Sequence, residues 1–287
     1  MQGKNIALNA FINYLVLPIF MGLSFPVFAL HPNTEPYTTI NTSHSPKILN
    51  ISAIDWCPQI CVDKDYSGYV IDIVNAVFKN SDYTLNINYF PWSRAIKNVT
   101  EGRADALLSP AKEEAPNLRY PKNSVGYQRM CFFVDKHSTW RYQNKSSLTN
   151  MSIGIATDTS IEELNSYIDE HPQRFQFQPY HERFIKQNAL KILKKRIDTF
   201  IFTLNSTLHT LKLEGLHDQF VNAGCVTKAP IYLAFTPINQ PNIDLAAAMS
   251  FFDKRMSELT NNGTISAILA KYEIEKNTQS EKELQDK

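Results

Sequence analysis

The residues best suited to handling a small polar molecule are scattered along the chain, yet they share a position relative to its apolar runs. Asp55 and Trp56 follow the first run, Trp92 and Arg94 follow the next but one, and Ser109 ends the run after that. Thr157, Thr159 and Ser160 lie between a later run and a helical stripe. If the runs are parallel strands, these side chains collect outside the C-terminal ends of a sheet, where α/β folds bind ligands. A segment between a strand and a helix N-terminus also offers free backbone N–H groups to an anion. Trp56 and Trp92 read equally well as core or rim packing, and Arg94 also fits a surface cation. The shared location carries the inference.

Catalytic signatures are missing. The chain has no G-x-S-x-G elbow, no P-loop, no G-x-G-x-x-G and no H-E-x-x-H. Its seven histidines (31, 44, 137, 171, 181, 209 and 217) show no i,i+4 pairing and no carboxylate companions at metal spacing. Glu113 and Glu114 read as a solvated acidic turn, and Lys194-Lys195-Arg196 as cations suited to a helix C-terminus. No cofactor, metal or catalytic residue is expected.

The elements that would position the candidate residues alternate. Residues 48–54 read as a strand, and 69–78 as a helix with apolar residues at 70, 73, 74 and 77. Residues 85–89 alternate apolar and polar, as in a half-buried strand. Residues 92–101 read as a helix capped by Gly102, and 105–109 as a short apolar strand. A second unit has a strand at 151–156 and a capping box at 160–163 opening a helix through Ile168. It continues with a helix at 188–195 and a strand at 198–203. A further strand at 231–236 and helices at 243–259 and 264–272 complete the pattern. The β-α-β-α-β order implies a mainly parallel sheet flanked by helices. The two units echo each other: Gly102-Arg103-Ala104-Asp105 and the strand after it match Lys195-Arg196-Ile197-Asp198 and its strand.

Residues 6–29 carry no charge, follow Lys4 and end Val27-Phe28-Ala29, the layout of a secretory signal cleaved after Ala29. The same run also fits an uncleaved anchor. Removing residues 1–29 from the 287 leaves 258, with 28 basic against 28 acidic residues. A net charge of zero argues against nucleic-acid binding, which rests on a basic surface. Residues 30–46 and 276–287 are polar and read as a disordered lead-in and tail. The four cysteines, Cys57, Cys61, Cys131 and Cys225, all lie in the exported part, where disulfides form. Three connectivities are open. A 57–61 bridge would pin a tight loop; a 131–225 bridge would close a long one, with a chain-entropy effect of roughly 4–5 kcal/mol before strain.

Six segments together resemble the type 2 periplasmic solute-binding proteins of the amino-acid-transport branch, family 3. They are residues 55–58, 68–73, 91–95, 102–106, 119–121 and 231–235, and the resemblance covers about 47–273. It implies a two-lobed α/β fold, each lobe a mainly parallel sheet flanked by helices, joined by a two-strand hinge. Lobe I would comprise 47–131 and 232–275, and lobe II 132–231 with hinge strands near 132–134 and 229–233. On that layout Cys131 and Cys225 lie close to the crossings, which favours their pairing. Amino-acid binders of this family carry a Thr-x-x-Arg whose arginine grips the ligand carboxylate; here the stretch reads Ser109-Pro110-Ala111-Lys112. They also carry an aspartate for the ligand ammonium, near Thr203 in this chain. A lysine is a point charge rather than a fork, and a threonine cannot balance an ammonium, so a standard α-amino acid is not the expected ligand. The resemblance implies a monomeric periplasmic protein that binds a small polar or anionic solute in the interlobe cleft. It would deliver that solute to an ABC-type permease or a sensor. A lyase on the same fold, with Asp55 as acid or base, and an adaptor with a degenerate cleft are the alternatives.

Overall fold

The computed structural model describes residues 46–63, 66–157, 159–161, 163–272 and 274. The expected signal segment, most of the lead-in and the tail lie outside these residues. The first sheet is built from β1 (Lys47–Ala53), β2 (Tyr83–Tyr89), β3 (Ala106–Leu108) and β11 (Leu233–Phe235) in the order β11-β3-β1-β2. The first three strands are parallel, with Ile51 beside both Ile87 and Ala106, and β11 joins antiparallel to β3. Its central strands are apolar and buried, whereas edge strand β2 alternates between half-buried and exposed residues. That difference follows from covering a parallel sheet on both faces at its centre but not at its edge.

Helices α1 (Tyr69–Phe78) and α2 (Trp92–Thr100) connect these strands. Val70, Ile73, Val74 and Val77 of α1 are buried, the stripe expected from their spacing. Late in the chain, α6 (Leu245–Asn261) and α7 (Thr264–Lys271) fold back onto α1. Asp244 caps α6 by accepting the Ala247 N–H at 3.0 Å.

The second sheet has the order β7-β6-β8-β5-β9, formed by β5 (Met130–Asp135), β6 (Ile153–Ala156), β7 (Phe175–Gln178), β8 (Thr199–Thr203) and β9 (Phe220–Cys225). Strands β6, β7 and β8 run parallel; β5 is antiparallel to β8 and β9. Helices α3 (Asn165–Glu170), α4 (Phe184–Leu193) and α5 (Leu204–Leu213) belong to this body. Between the two sheets run β4 (Gly126–Gln128) and β10 (Ala229–Ile231), paired antiparallel as a separate ribbon. Residues 132–134, where a linking strand was expected, form the buried centre of β5, and the ribbon pairs 126–128 with 229–231.

The echo between the two units has a structural cause. Asp105 accepts the Asn50 backbone N–H at 2.7 Å and its side-chain amide at 3.1 Å, tying β3 to β1. Asp198 accepts the Ser152 N–H at 2.8 Å and so ties β8 to β6. In each body the preceding helix ends on a left-handed residue, Gly102 at φ 71° and Lys195 at φ 54°. The repeated aspartates satisfy backbone donors at the sheet's lower edge, so they hold strands in register and do not form part of a ligand site.

Candidate functional site

The upper edge of the first sheet is organised by a six-residue loop. Trp56 donates its backbone N–H to the Ile60 carbonyl at 2.6 Å, and Cys57 is bridged to Cys61 with Cα atoms 4.8 Å apart. The loop then caps α1: the Pro58 carbonyl accepts the Tyr69 N–H at 3.2 Å, and the Gln59 carbonyl accepts the Val70 N–H at 2.9 Å. Two first-turn donors that the helix cannot satisfy itself are thereby paired. The approach requires Gly68, which sits at φ 91° where an added Cβ would stand 2.5 Å from the Gln59 oxygen. Loop and helix together hold the Trp56 indole over the sheet edge.

From there Trp56 reaches the second body. Its Nε1 donates to the Thr203 hydroxyl at 3.1 Å, and Ser206 donates to the Gln59 side-chain carbonyl at 3.3 Å. The Tyr69 hydroxyl bonds the Asn205 side chain, and burial pushes its pKa up. The Tyr66 ring lies parallel to the His209 ring with centroids 6.1 Å apart. One end of the first sheet is thus closed onto the start of α5.

Beneath these contacts lies a cavity of about 40 Å³, room for a few waters at the roughly 10–15 Å³ each requires. The first body contributes Ile54, Trp56, Trp92, Ser109 and Glu114 to its wall. The second contributes Thr159, Tyr180, Phe202 and Thr203, with Gln128 and Met130 where the ribbon enters β5. Tyr180 stacks on Phe202, centroids 5.0 Å apart. Ser109 holds a left-handed φ of 69° and is 2% exposed. Its Oγ has no hydrogen-bond partner among the described residues. A non-glycine residue in that conformation costs about 1–3 kcal/mol and is retained where surrounding structure imposes it.

Of the expected site residues, Trp56, Trp92, Ser109, Thr159 and Thr203 share this wall. Ser160 lines adjoining clefts. Asp55 stands beside the cavity, its carboxyl pushed up by burial, eased by the Val62 N–H at 3.3 Å and raised again by nearby Glu182. Thr157 is spent on the sheet, donating its N–H to Gln178 at 3.0 Å. Arg94 stands exposed on the first turn of α2 and does not belong to the wall.

Two local readings of the sequence require correction. No helix opens at Ser160: α3 starts at Asn165, whose side chain accepts the Ile161 N–H at 2.8 Å and donates to the Ser160 hydroxyl at 2.7 Å. Glu163, taken as the capping-box acid, instead accepts from the Thr227 N–H at 3.0 Å and its hydroxyl at 2.6 Å, and from Tyr142 at 3.1 Å. These bonds, with Lys145 nearby, outweigh its desolvation and lower its pKa. The second concerns the turn after β3. Lys112 lies outside, its Nζ 5.3 Å from the Tyr232 ring centre and 5.8 Å from that of Tyr120. The charged group that this turn sends to the cavity is Glu114. Its carboxylate accepts the Ala111 N–H at 2.9 Å. Burial pushes its pKa up to about 7, against the opposing pull of the Ala111 and Ser160 N–H groups and with a further rise from Glu113. An adjacent acidic pair looks like a solvated turn in sequence; only the 3₁₀ geometry of 112–114 shows that one of its members faces inward. Tyr180, Phe202, Met130, Ile54 and Gln128 also escaped sequence reasoning, because apolar strand residues carry no local sign that they face a cleft.

The second pair of cysteines is joined as the layout favoured. Cys131 and Cys225 are cross-strand partners of β5 and β9, with Cα atoms 3.9 Å apart, and no described cysteine is free. Among the described residues no cluster could hold a metal ion, and no helix is long and apolar enough to cross a membrane.

Residues 51–275 match the bacterial extracellular solute-binding proteins, family 3, and the chain belongs to that family. Its structure is similar to a histidine kinase sensor domain resembling periplasmic binding proteins: TM-score 0.66, 14% identity, covering 79% of this chain and 96% of that one. It is also similar to a protein from glutathione import in Streptococcus mutans, with TM-score 0.64, 19% identity and coverage of 79% and 94%. A third is an ABC uptake transporter substrate-binding protein from Streptococcus pneumoniae with bound histidine, at TM-score 0.62, 16% identity and coverage of 80% and 93%. At these identities the likeness establishes the two-lobed binding-protein fold. A comparison with curated proteins gives no match.

Proposed function

We propose that this chain binds a small polar solute in the cavity between its two sheet bodies and hands it to a membrane partner outside the cytoplasm. The observation that carries the reading is the cavity wall itself. It draws residues from both bodies, and its roof is a hydrogen bond from Trp56 to Thr203 that must break for a solute to enter. A ribbon of only two short strands, β4 and β10, links the bodies and suits a hinge motion of the kind that closes binding proteins on their ligands. Lobe I corresponds to the body of the first sheet and lobe II to that of the second, so that Met130 and Cys131, expected in lobe I, go with lobe II. An export signal cleaved after Ala29 and a monomeric mature chain complete the reading. Two disulfides support an oxidising compartment.

The reading is one of binding and not of turnover. The family match supports binding. Asp55, the expected acid or base of a lyase, is absent from the cavity wall. Glu114 lines that wall and is the group a lyase would use instead, which product analysis of each ligand tests. Transport and sensing are both compatible with the site. The similarity to a kinase sensor domain supports sensing, and the similarity to ABC substrate-binding proteins supports delivery to a permease.

A thermal-shift screen of the purified protein against amino acids, organic acids, amines and sugars tests the proposal, with product analysis of every hit. A saturable rise in melting temperature, without product and lost in Trp56→Ala, is the expected result. Turnover of a hit overturns the non-enzymatic reading. Silence from every class overturns solute binding and leaves the adaptor.

A further inference from the structure

We propose that the solute is an organic cation without a carboxylate, an amine whose ammonium group pairs with Glu114 and Ser109 while its carbon body lies among the cavity's aromatic rings. This rests on the solute-binding reading above and adds the sign of the ligand's charge. Four observations converge on it.

First, among the described residues the cavity wall contains one carboxyl group, Glu114, and no lysine, arginine or histidine. The cations that a carboxylate ligand would need are elsewhere. Lys112 is held over the Tyr120 and Tyr232 rings, and Arg94 is exposed.

Second, the charged neighbour that acts on Glu114 is another acid. Glu113 lies on the same turn, and its charge and that of Glu114 are both felt at Tyr120. On the far side, Asp55 feels the charge of Glu182, which is paired with Arg183 at 3.8 Å, and Asp55 is in turn felt at Tyr180 in the wall. An entering anion would meet a half-buried carboxylate, whereas a cation would relieve it.

Third, the Ser160 N–H, a lobe II backbone donor that an anion would seek, already acts on the Glu114 carboxyl and lowers its pKa. A ligand carboxylate would compete with that group.

Fourth, the remaining wall suits an alkyl- or arylammonium ion. Trp56, Trp92, Tyr180 and Phe202 bring aromatic rings to the wall, and the faces of such rings attract cations through their quadrupoles. The Ser109 hydroxyl, buried and unpartnered, supplies an acceptor for an ammonium N–H. Its left-handed backbone puts this hydroxyl in the wall instead of in the sheet.

The test is isothermal titration of the purified chain at about pH 8, where Glu114 is ionised. The probes share carbon skeletons: benzylamine, benzyl alcohol and benzoate, then butylamine, butanol and butyrate. Amines are expected to bind at least about tenfold tighter than the matching alcohols, and the carboxylates not at all. Glu114→Gln is expected to remove most of that preference, and Ser109→Ala to weaken amine binding several-fold. If either variant fails to fold, the comparison of amine with carboxylate in the unaltered protein still decides the charge. Binding of carboxylates or neutral solutes with the amines silent overturns the cation assignment and leaves the solute-binding reading standing. Amine binding that is unchanged in Glu114→Gln also overturns it. No heat from any amine up to about 10 mM, while the broader screen gives a hit of another class, overturns the cation alone; silence in both overturns both readings.

Discussion

Glu114→Gln should make the protein more stable at neutral and alkaline pH and leave it nearly unchanged in acid. The magnitude follows from the position of the carboxyl. In the unfolded chain it titrates at 4.5, and in the folded protein burial raises it to about 7. Because the folded value is the higher one, the folded state holds the proton more tightly. Stability linked to this group is therefore fully present below about pH 4.5 and is lost as pH rises through 7. The difference of 2.5 between those two values corresponds to about 3 kcal/mol at 1.36 kcal/mol per unit, an upper bound because the pocket relaxes and admits water. Glutamine keeps the size and one acceptor oxygen but never ionises, so it escapes this loss. For a domain of this length about 1 kcal/mol moves the melting temperature by 2–4 °C. The variant should thus melt roughly 5–10 °C above the parent at pH 8 and within a degree or two at pH 4.5. Thermal unfolding followed by circular dichroism at pH 4.5, 6 and 8 measures this. The quantity of interest is the difference between the two proteins, since every other titrating group cancels. Parallel pH profiles would mean that Glu114 is solvated, and would remove the electrostatic basis for a cation-binding cavity.

Three further substitutions probe the frame around the site. Gly68→Ala places a Cβ against the Gln59 carbonyl in a left-handed conformation and should cost about 2–4 kcal/mol in a urea titration. Replacing Cys131 and Cys225 together by serine opens a loop spanning 94 residues and should cost about 3–5 kcal/mol by chemical denaturation; a change below about 1 kcal/mol would show that the bridge constrains little. Lys195→Gly relieves the left-handed residue that ends α4 and should raise stability by about 0.5–1 kcal/mol, whereas the control Lys194→Gly, at φ −90°, should lower it.

Much of the frame is visible in the chain's periodicity. The stripe at 70, 73, 74 and 77, the alternation at 85–89 and the stop at Gly102 are local signals, and the helices and strands they announce are found where expected. The paired Asp105 and Asp198 were legible as a repeat, although their task, holding strand donors, was not. Elements were missed where local pattern and tertiary role diverge. Helix α5 carries Ser206 and Thr207 fully buried, two polar residues on the face that packs inward. Its apolar spacing is broken because that face meets the loop bearing Gln59. Strand β7 alternates Phe and Gln over four residues, too short a stretch to stand out. The pairing of 126–128 with 229–231 was missed because the most apolar run, 130–134, drew the reading to what is the core of β5.

The sequence by itself determined the class of fold, the two cysteine-bearing regions and the general neighbourhood of the site, since all three follow from residue spacing and strand order. Tertiary structure decided which way the charges point. Lys112 and Glu114 lie two residues apart on one turn, and a 3₁₀ geometry sends the cation outward and the carboxylate into the cavity. A linear pattern records the identity of neighbouring residues but not which of them faces a surface contributed from a hundred residues away. That surface is made here by Thr159, Tyr180, Phe202 and Thr203.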